Sequence, residues 1–199
     1  VRFEGLRGVF NGSQTLYVHA DDVKAISEAL RFKREMMISK MVIMGGYDAW
    51  MIADELKAEK VGVMLRRVHE LPMLNGEDVN LPFKLPAMLS EAGVEFCLQN
   101  EGDMERMGTR NLPFFAGTAV AYGLPYEEAV KSLTQSAANL LGIGEKCGSI
   151  TSGKDATLFI SAGDALDMRT NNVVYAFIQG RMIKLDNKQK ALYERYLAK

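Results

Sequence analysis

Along the first hundred residues, short apolar runs alternate with stretches whose apolar positions recur at helical spacing. "SQTLYVH" (13–19) predicts a strand. Residues 21–36 then place Val23, Ile26, Leu30 and Phe32 along a helix, behind Asp21 and Asp22 as caps. "MVIMGG" (41–46) is a second apolar run, and residues 47–58 follow it with Trp50, Ile52, Ala53 and Leu56 at amphipathic spacing. "VGVML" (61–65) predicts a third strand and residues 66–82 a long polar loop holding His69, Pro72, Gly76 and Pro82. "FKLPAMLSEAG" (83–93) gives a short helix, with Pro86 near its first turn where a missing N–H is tolerated. "VEFCLQ" (94–99) is the fourth strand.

Four strands rich in β-branched and large apolar residues, each separated from the next by a helix, imply an α/β fold with a parallel sheet. Two architectures fit: an open doubly wound sheet, or part of a (β/α)8 barrel. Periodicity does not choose between them. No Gly-x-Gly-x-x-Gly turn follows an early strand, and "GGYDAW" is too short a glycine signal to stand in for a dinucleotide-binding turn.

From residue 110 to 142 the pattern is helical, in "NLPFFAGTAVAYG" and "PYEEAVKSLTQSAANLLG", each ending in glycine. Beyond it, "KCGSITSGKDATLFI" and "NNVVYAFIQGRMIKL" predict strands and tight turns, with Gln179-Gly180 as a hairpin centre. A last helix, 187–198, is expected to bury Leu192, Tyr196 and Leu197. The change of pattern places a boundary near residue 143, dividing the chain into 1–142 and 143–199.

Charge then narrows the partners. The 24 basic and 25 acidic side chains nearly cancel, so the positive field of a nucleic-acid-binding or polybasic membrane-binding protein is absent. Cys97 and Cys147 lie far apart and outside any Cys-x-x-Cys pair, which argues against a disulfide framework or a zinc ribbon. No apolar run approaches the ~20 residues of a membrane span. These features predict a cytoplasmic protein, and the start at Val1 without a methionine predicts a piece of a longer one.

One passage is more specific. "LTQSAANLLGIGEKCGSITSGKDATLFI", followed by "GDALD" and "V..AFIQGRMI", resembles the point in amidohydrolase-superfamily enzymes where the chain leaves a metal-dependent barrel for a small β-sandwich. Thr134, Ala138, Leu141-Gly142, Gly148-Ser149-Ile150 and Gly153-Lys154-Asp155-Ala156 carry the likeness. These are turn and packing residues that mark the family without performing its chemistry. "RNLPFFAGTAVAYGLPYEEAV" is similar to the helical segment after the eighth barrel strand of the imidazolonepropionase-like branch. The resemblance therefore implies the C-terminal half of a (β/α)8 TIM-type barrel, strands five to eight, followed by part of the β-sandwich and a terminal helix. It also implies an N-terminal half, or a second copy of the chain, as partner.

It further implies metal-dependent hydrolysis of a carbon–nitrogen bond in a small amide or cyclic imide, by water activated on a divalent ion: zinc, or iron or manganese. His19, ending strand five, would be a metal ligand at the end of the barrel where active sites gather. Glu101 or Asp103 after strand eight would relay the proton. His69 and Arg66, in the loop after strand seven, are candidate substrate contacts, with an exposed histidine and a surface salt bridge as the plainer readings. Tyr47 and Trp50 read as packing residues. Two departures stand out: "MGGYD" offers glycine where the family has a strand-six histidine, and "QNEGDMERMG" lacks a clear aspartate. This chain alone is expected to be inactive, and the complete protein is either a hydrolase or a degenerate homologue with a binding or structural role.

Overall fold

The structure, a computed structural model, describes residues 4–101 and 105–198 of the chain. After a short helix α1 (Arg7–Phe10), strand β1 (Leu16–Ala20) is joined to β2 (Met41–Gly45) through helix α2 (Val23–Glu35). A 3-10 turn at Ala49–Ile52 runs into helix α3 (Ala53–Ala58), and β3 (Gly62–Leu65) follows. Helix α4 (Leu81–Ala92) leads to β4 (Phe96–Leu98). The four strands are parallel and lie in chain order, β1-β2-β3-β4.

Strand alternation sorts the side chains onto two faces. Val18, Ile43, Val63, Leu65, Phe96 and Leu98 join one apolar cluster with Ile26 and Leu30 of α2, Leu56 of α3, and Leu85 and Leu89 of α4. All three crossover helices therefore back the same face. Crossover helices on both sides and a reversal in strand order would mark the doubly wound alternative; here the three crossovers share one side and the order does not reverse.

The helical region comprises α5 (Glu105–Gly108), α6 (Leu112–Ala121), α7 (Tyr126–Leu133) and α8 (Gln135–Leu140). The single helix expected over 125–142 is interrupted at Thr134, whose φ of −124° and ψ of −90° leave the helical region, while its hydroxyl donates to the Val130 carbonyl at 2.8 Å. The interruption sends the two halves to different places. Ala129 of α7 joins the helix-backed cluster, whereas Ala137 and Leu140 of α8 pack with Val42, Met64 and Cys97 on the other face. There the Tyr17 hydroxyl donates to the Leu140 carbonyl at 2.8 Å, and a Cβ on Gly62 would collide with the Leu140 side chain.

Two further expectations change. Helix α4 starts at Leu81, so Pro82 takes the first turn and Pro86 stands inside the helix, without an N–H for the carbonyl one turn back. Strands β5 (Leu158–Ser161), β6 (Val173–Ile178) and β7 (Arg181–Met182) form a separate antiparallel sheet. Its β6–β7 turn is centred on Gln179 and Gly180, both left-handed (φ 51° and 77°), the geometry of a two-residue hairpin. Helix α9 (Lys188–Leu197) forms behind an Asn187 cap that accepts from the Lys190 amide, but it buries none of its residues: Tyr196 is 62% and Leu197 71% exposed. No described helix is long and apolar enough to cross a membrane.

Candidate active site

Where β1 gives way to α2, two adjacent aspartates compete for one capping position. Asp22 takes it: its backbone is extended and its Oδ1 accepts the Ala25 amide at 3.0 Å. Asp21 is left over, and its Oδ2 lies 3.2 Å from Nη1 of Arg66, one residue past the end of β3. The backbone around this junction is stitched to the end of β2, with the Gly46 amide on the Ala20 carbonyl and the Asp48 amide on the Asp21 carbonyl, both at 2.8 Å.

Arg66 is held from every side. Its amide donates to the Gly45 carbonyl at 2.9 Å, Nη2 and Nε donate to Glu70 Oε2 at 2.7 and 3.1 Å, and Nη1 also meets the Met73 sulfur at 3.3 Å. Arg67 takes the other oxygen of Glu70 at 3.0 Å. Burial works against the Arg66 charge, but Glu70 and Asp21 outweigh it and raise its pKa above the usual guanidinium value. The result is a chain of alternating charges, Asp21, Arg66, Glu70 and Arg67, across the C-terminal ends of β1 and β3.

His19 pairs in register with Met44 of β2 and, by alternation, shares the face of Tyr17, away from the crossover helices. It is exposed and has no hydrogen-bond partner among the described residues. Gly45 and Gly46, where a second imidazole would be sought, have φ of 105° and 68°. A Cβ on Gly45 would come within 2.7 Å of Asp21 Oδ1. Glu101 accepts from Gln99 Nε2 at 3.2 Å, the same amide nitrogen that bonds the Met64 carbonyl at 2.9 Å. Asp103 lies outside the described residues.

His69 is exposed yet engaged. Its ring meets Phe115 at 4.6 Å and Phe83 edge-on at 5.9 Å, and Nε2 lies 2.7 Å from the Thr118 hydroxyl on α6. Thr118 gives its own proton to the Phe114 carbonyl at 3.0 Å, so Nε2 carries the hydrogen. Partial burial, and then Arg67, push the His69 pKa down. Tyr47, 3% exposed, anchors the loop after β3: its hydroxyl donates to Glu77 at 2.7 Å and accepts the Met73 amide at 3.2 Å. Burial, then the Glu77 carboxylate, raise its phenol pKa.

Asp21, Glu70, Glu77 and Thr118 escaped the sequence reading. Asp21 could have been found from the doubled aspartate, since one cap position cannot use two; Glu70 from its spacing of four from Arg66 and three from Arg67. Nothing local announces Thr118 or Glu77, whose partners lie 49 and 30 residues away.

The donors present do not fit a catalytic metal, which takes three protein ligands and an open position. No group of three or more His, Cys, Asp or Glu among the described residues is placed to hold an ion. His19 belongs to no such group, Glu70 and Asp21 Oδ2 are paired with arginine while Asp21 Oδ1 is buried without a partner, and Glu101 is bonded by Gln99.

The geometry can now be set beside known proteins. An amidohydrolase from Thermotoga maritima MSB8 superposes with a TM-score of 0.77 at 26% identity, over 92% of this chain and 46% of that one. A zinc-bound adenosine deaminase from Xanthomonas campestris superposes at 0.59 with 16% identity, over 98% of this chain and 52% of that one, a likeness of fold alone. An imidazolonepropionase from Acidiphilium cryptum (strain JF-5) is 38% identical over 65 residues, covering 33% of this chain and 16% of that protein. The chain thus spans about half the length of the solved structures it matches. A model of the amidohydrolase family matches residues 83–183, more than half of the sequence and continuous from α4 through the β6–β7 turn. On that match, and with a parallel sheet superposing on a solved amidohydrolase, the chain belongs to the amidohydrolase family.

Proposed function

We propose that β1 to β4 are strands five to eight of an eight-stranded barrel, that 143–199 is the C-terminal part of a small β-sandwich, and that the completed protein hydrolyses a non-peptide carbon–nitrogen bond of an amide or cyclic imide. One observation carries the reading: the crossover helices back a single face of the sheet, and His19 stands on the opposite face at the strand ends. Among the described residues neither β1 nor β4 pairs with a further strand on its outer edge. The natural occupant is an N-terminal half supplying the other strands and the metal ligands that this chain lacks, with a second copy of the chain as the alternative partner. His19 would face the reacting centre, with Glu101 or Asp103 as the acid and Arg66 and His69 toward the substrate.

The test is complementation. The chain alone, given a panel of cyclic imides and N-acyl amines with zinc, iron or manganese, is expected to hydrolyse nothing. Combined with a polypeptide supplying the preceding half of a relative, it is expected to gain activity that His19→Ala lowers at least a hundredfold. Activity of the isolated chain, or a well-behaved monomer at high concentration by analytical ultracentrifugation, would count against the half-barrel.

A second reading, a degenerate homologue with a binding or structural role, is favoured by the glycines at 45 and 46 and the ion-paired Arg66. A completed protein that binds small imides without cleaving them would support it.

A further inference from the structure

We infer that Arg66 is the resident cation of this end of the sheet, so that Asp21 and Glu70 are organised by a side chain and not by a divalent metal. The inference deepens the second reading above and rests on it.

Three observations converge. Every nitrogen of the Arg66 guanidinium already has an acceptor from the protein: Nη1 has Asp21 and the Met73 sulfur, Nη2 and Nε share Glu70. The carboxylates nearest the strand ends are correspondingly engaged, since Glu70 is bound through one oxygen by Arg66 and through the other by Arg67. Of the oxygens of these two acids Asp21 Oδ1 alone is buried without a hydrogen-bond partner, and a metal seeking the others would have to displace a guanidinium from Asp21 Oδ2 and from Glu70. That ion is permanently charged, forks to two acceptors at once and resists exchange in a way a mobile cation does not.

The second observation lies between them, on β2. A Cβ on Gly45 would fall 2.7 Å from Asp21 Oδ1 and 3.2 Å from the Ala20 carbonyl, and Gly45 itself has a φ of 105° that resists any other residue. The backbone angle of Gly45 therefore disfavours any side chain, histidine included, at the end of β2, and Asp21 occupies the space left open beside it. The glycine and the ion pair form one arrangement.

The third is what the network joins. Asp21 follows β1, Arg66 follows β3, and Glu70 and Met73 belong to the loop over 66–80, so the guanidinium ties two strand ends to the loop beside them. Holding carboxylates and a loop in register at the strand ends is a structural duty of a bound ion in a metal site. Here a side chain of the same chain performs it.

The experiment uses the intact chain. Zinc alone, and manganese alone, are titrated into chelator-treated protein by calorimetry, and bound metal is counted after dialysis; no saturable one-to-one uptake is expected. In parallel, hydrogen exchange is followed in Arg66→Met and, as a milder change that keeps the arginine, in Glu70→Gln. Amides of the 66–80 loop are expected to exchange at least tenfold faster in either variant, while those of β2 and β4 stay as in the parent. One equivalent of zinc or manganese bound by the parent and lost in His19→Ala would overturn the inference. So would loop exchange unchanged in both variants. If the chain takes up metal only when combined with the other half of a relative and His19→Ala abolishes it, this inference falls while the hydrolase reading survives. A complex that neither binds metal nor cleaves imides leaves Arg66 as assigned and removes the hydrolase.

Discussion

The parallel sheet and the antiparallel one obey the same hydrogen-bonding rules and yet differ in how far they are finished. Around β1 to β4, Ile26, Leu30, Ile43, Leu56, Val63 and Leu65 are completely buried. Beyond Leu140, Leu166 is the one buried apolar residue among those described, and Phe159, Ile160, Tyr175, Ile178 and Met182 are each about half exposed or more. Pairing of the backbone in β5 to β7 is thus complete without a core to go with it. A two- or three-stranded sheet needs a covered apolar face for independent stability, and an exposed apolar surface of this kind marks a contact yet to be made. The lesson is that secondary structure reports local agreement, whereas burial reports whether the rest of the fold is at hand.

The two cysteines give this contrast its most sensitive test. Cys97 sits 4% exposed on the α8-covered face, with burial, and then Glu95, pushing its thiol pKa up to about 12. Cys147 is only partly covered, beyond the parallel sheet. A thiol reagent at neutral pH is expected to label Cys147 at once and Cys97 only through opening of the fold, slower by a factor on the order of 10³ or more. Labelling of both at similar rates would mean that the parallel sheet is itself unfinished.

Next in size are truncations. Leu65→Ala, in the helix-backed cluster, is expected to cost about 2–5 kcal/mol in urea unfolding, while Phe159→Ala in β5 costs about 1 kcal/mol or less. Equal losses would show that β5 to β7 are covered in solution, by another copy or by a partner.

The join between the regions is smaller. Gly117 of α6 lies against the Leu166 backbone, and a Cβ there would collide with the Leu166 carbonyl. Gly117→Ala is expected to cost about 1–3 kcal/mol by overpacking, and to loosen the 158–182 segment while leaving β1 to β4 protected in hydrogen exchange.

The weakest effect is a pH dependence from His69. Its pKa is lowered in the folded state, so the unfolded chain binds the proton more readily and stability falls as pH drops below about 6.5, the ordinary histidine value. Above that value the neutral ring contributes fully. His69→Gln, which can still donate to Thr118, should flatten the slope below about pH 6.5 in thermal melts; an unchanged slope would place the titration elsewhere.

Much of this fold is legible from short-range pattern. Val18, Ile43 and Val63 announce strands because β-branched residues suit a pleated surface, and Asp22 and Gly93 mark the ends of α2 and α4 by rules that need only a few neighbours. The family passage from Thr134 to Ala156 is legible for a similar reason, since its glycines meet local turn requirements. The site is less so. Arg66 reads alone as a loose surface charge, and only strand order brings Asp21, 45 residues earlier, to its side. Pro86 and the break at Thr134 misled because helix limits answer to tertiary contacts that periodicity does not carry. The expected burial on α9 failed for the opposite reason: Leu192, Tyr196 and Leu197 recur at helical spacing, yet each stays 38% or more exposed, because periodicity marks a face without saying what packs on it.

The departure of Thr134 from helical angles has one further consequence. Because it turns α8 beneath the sheet, with Leu140 against Tyr17 and Gly62, the strand starts are stoppered from within the same polypeptide. In a wall closed along both edges, solutes would then share a single doorway at the His19 end.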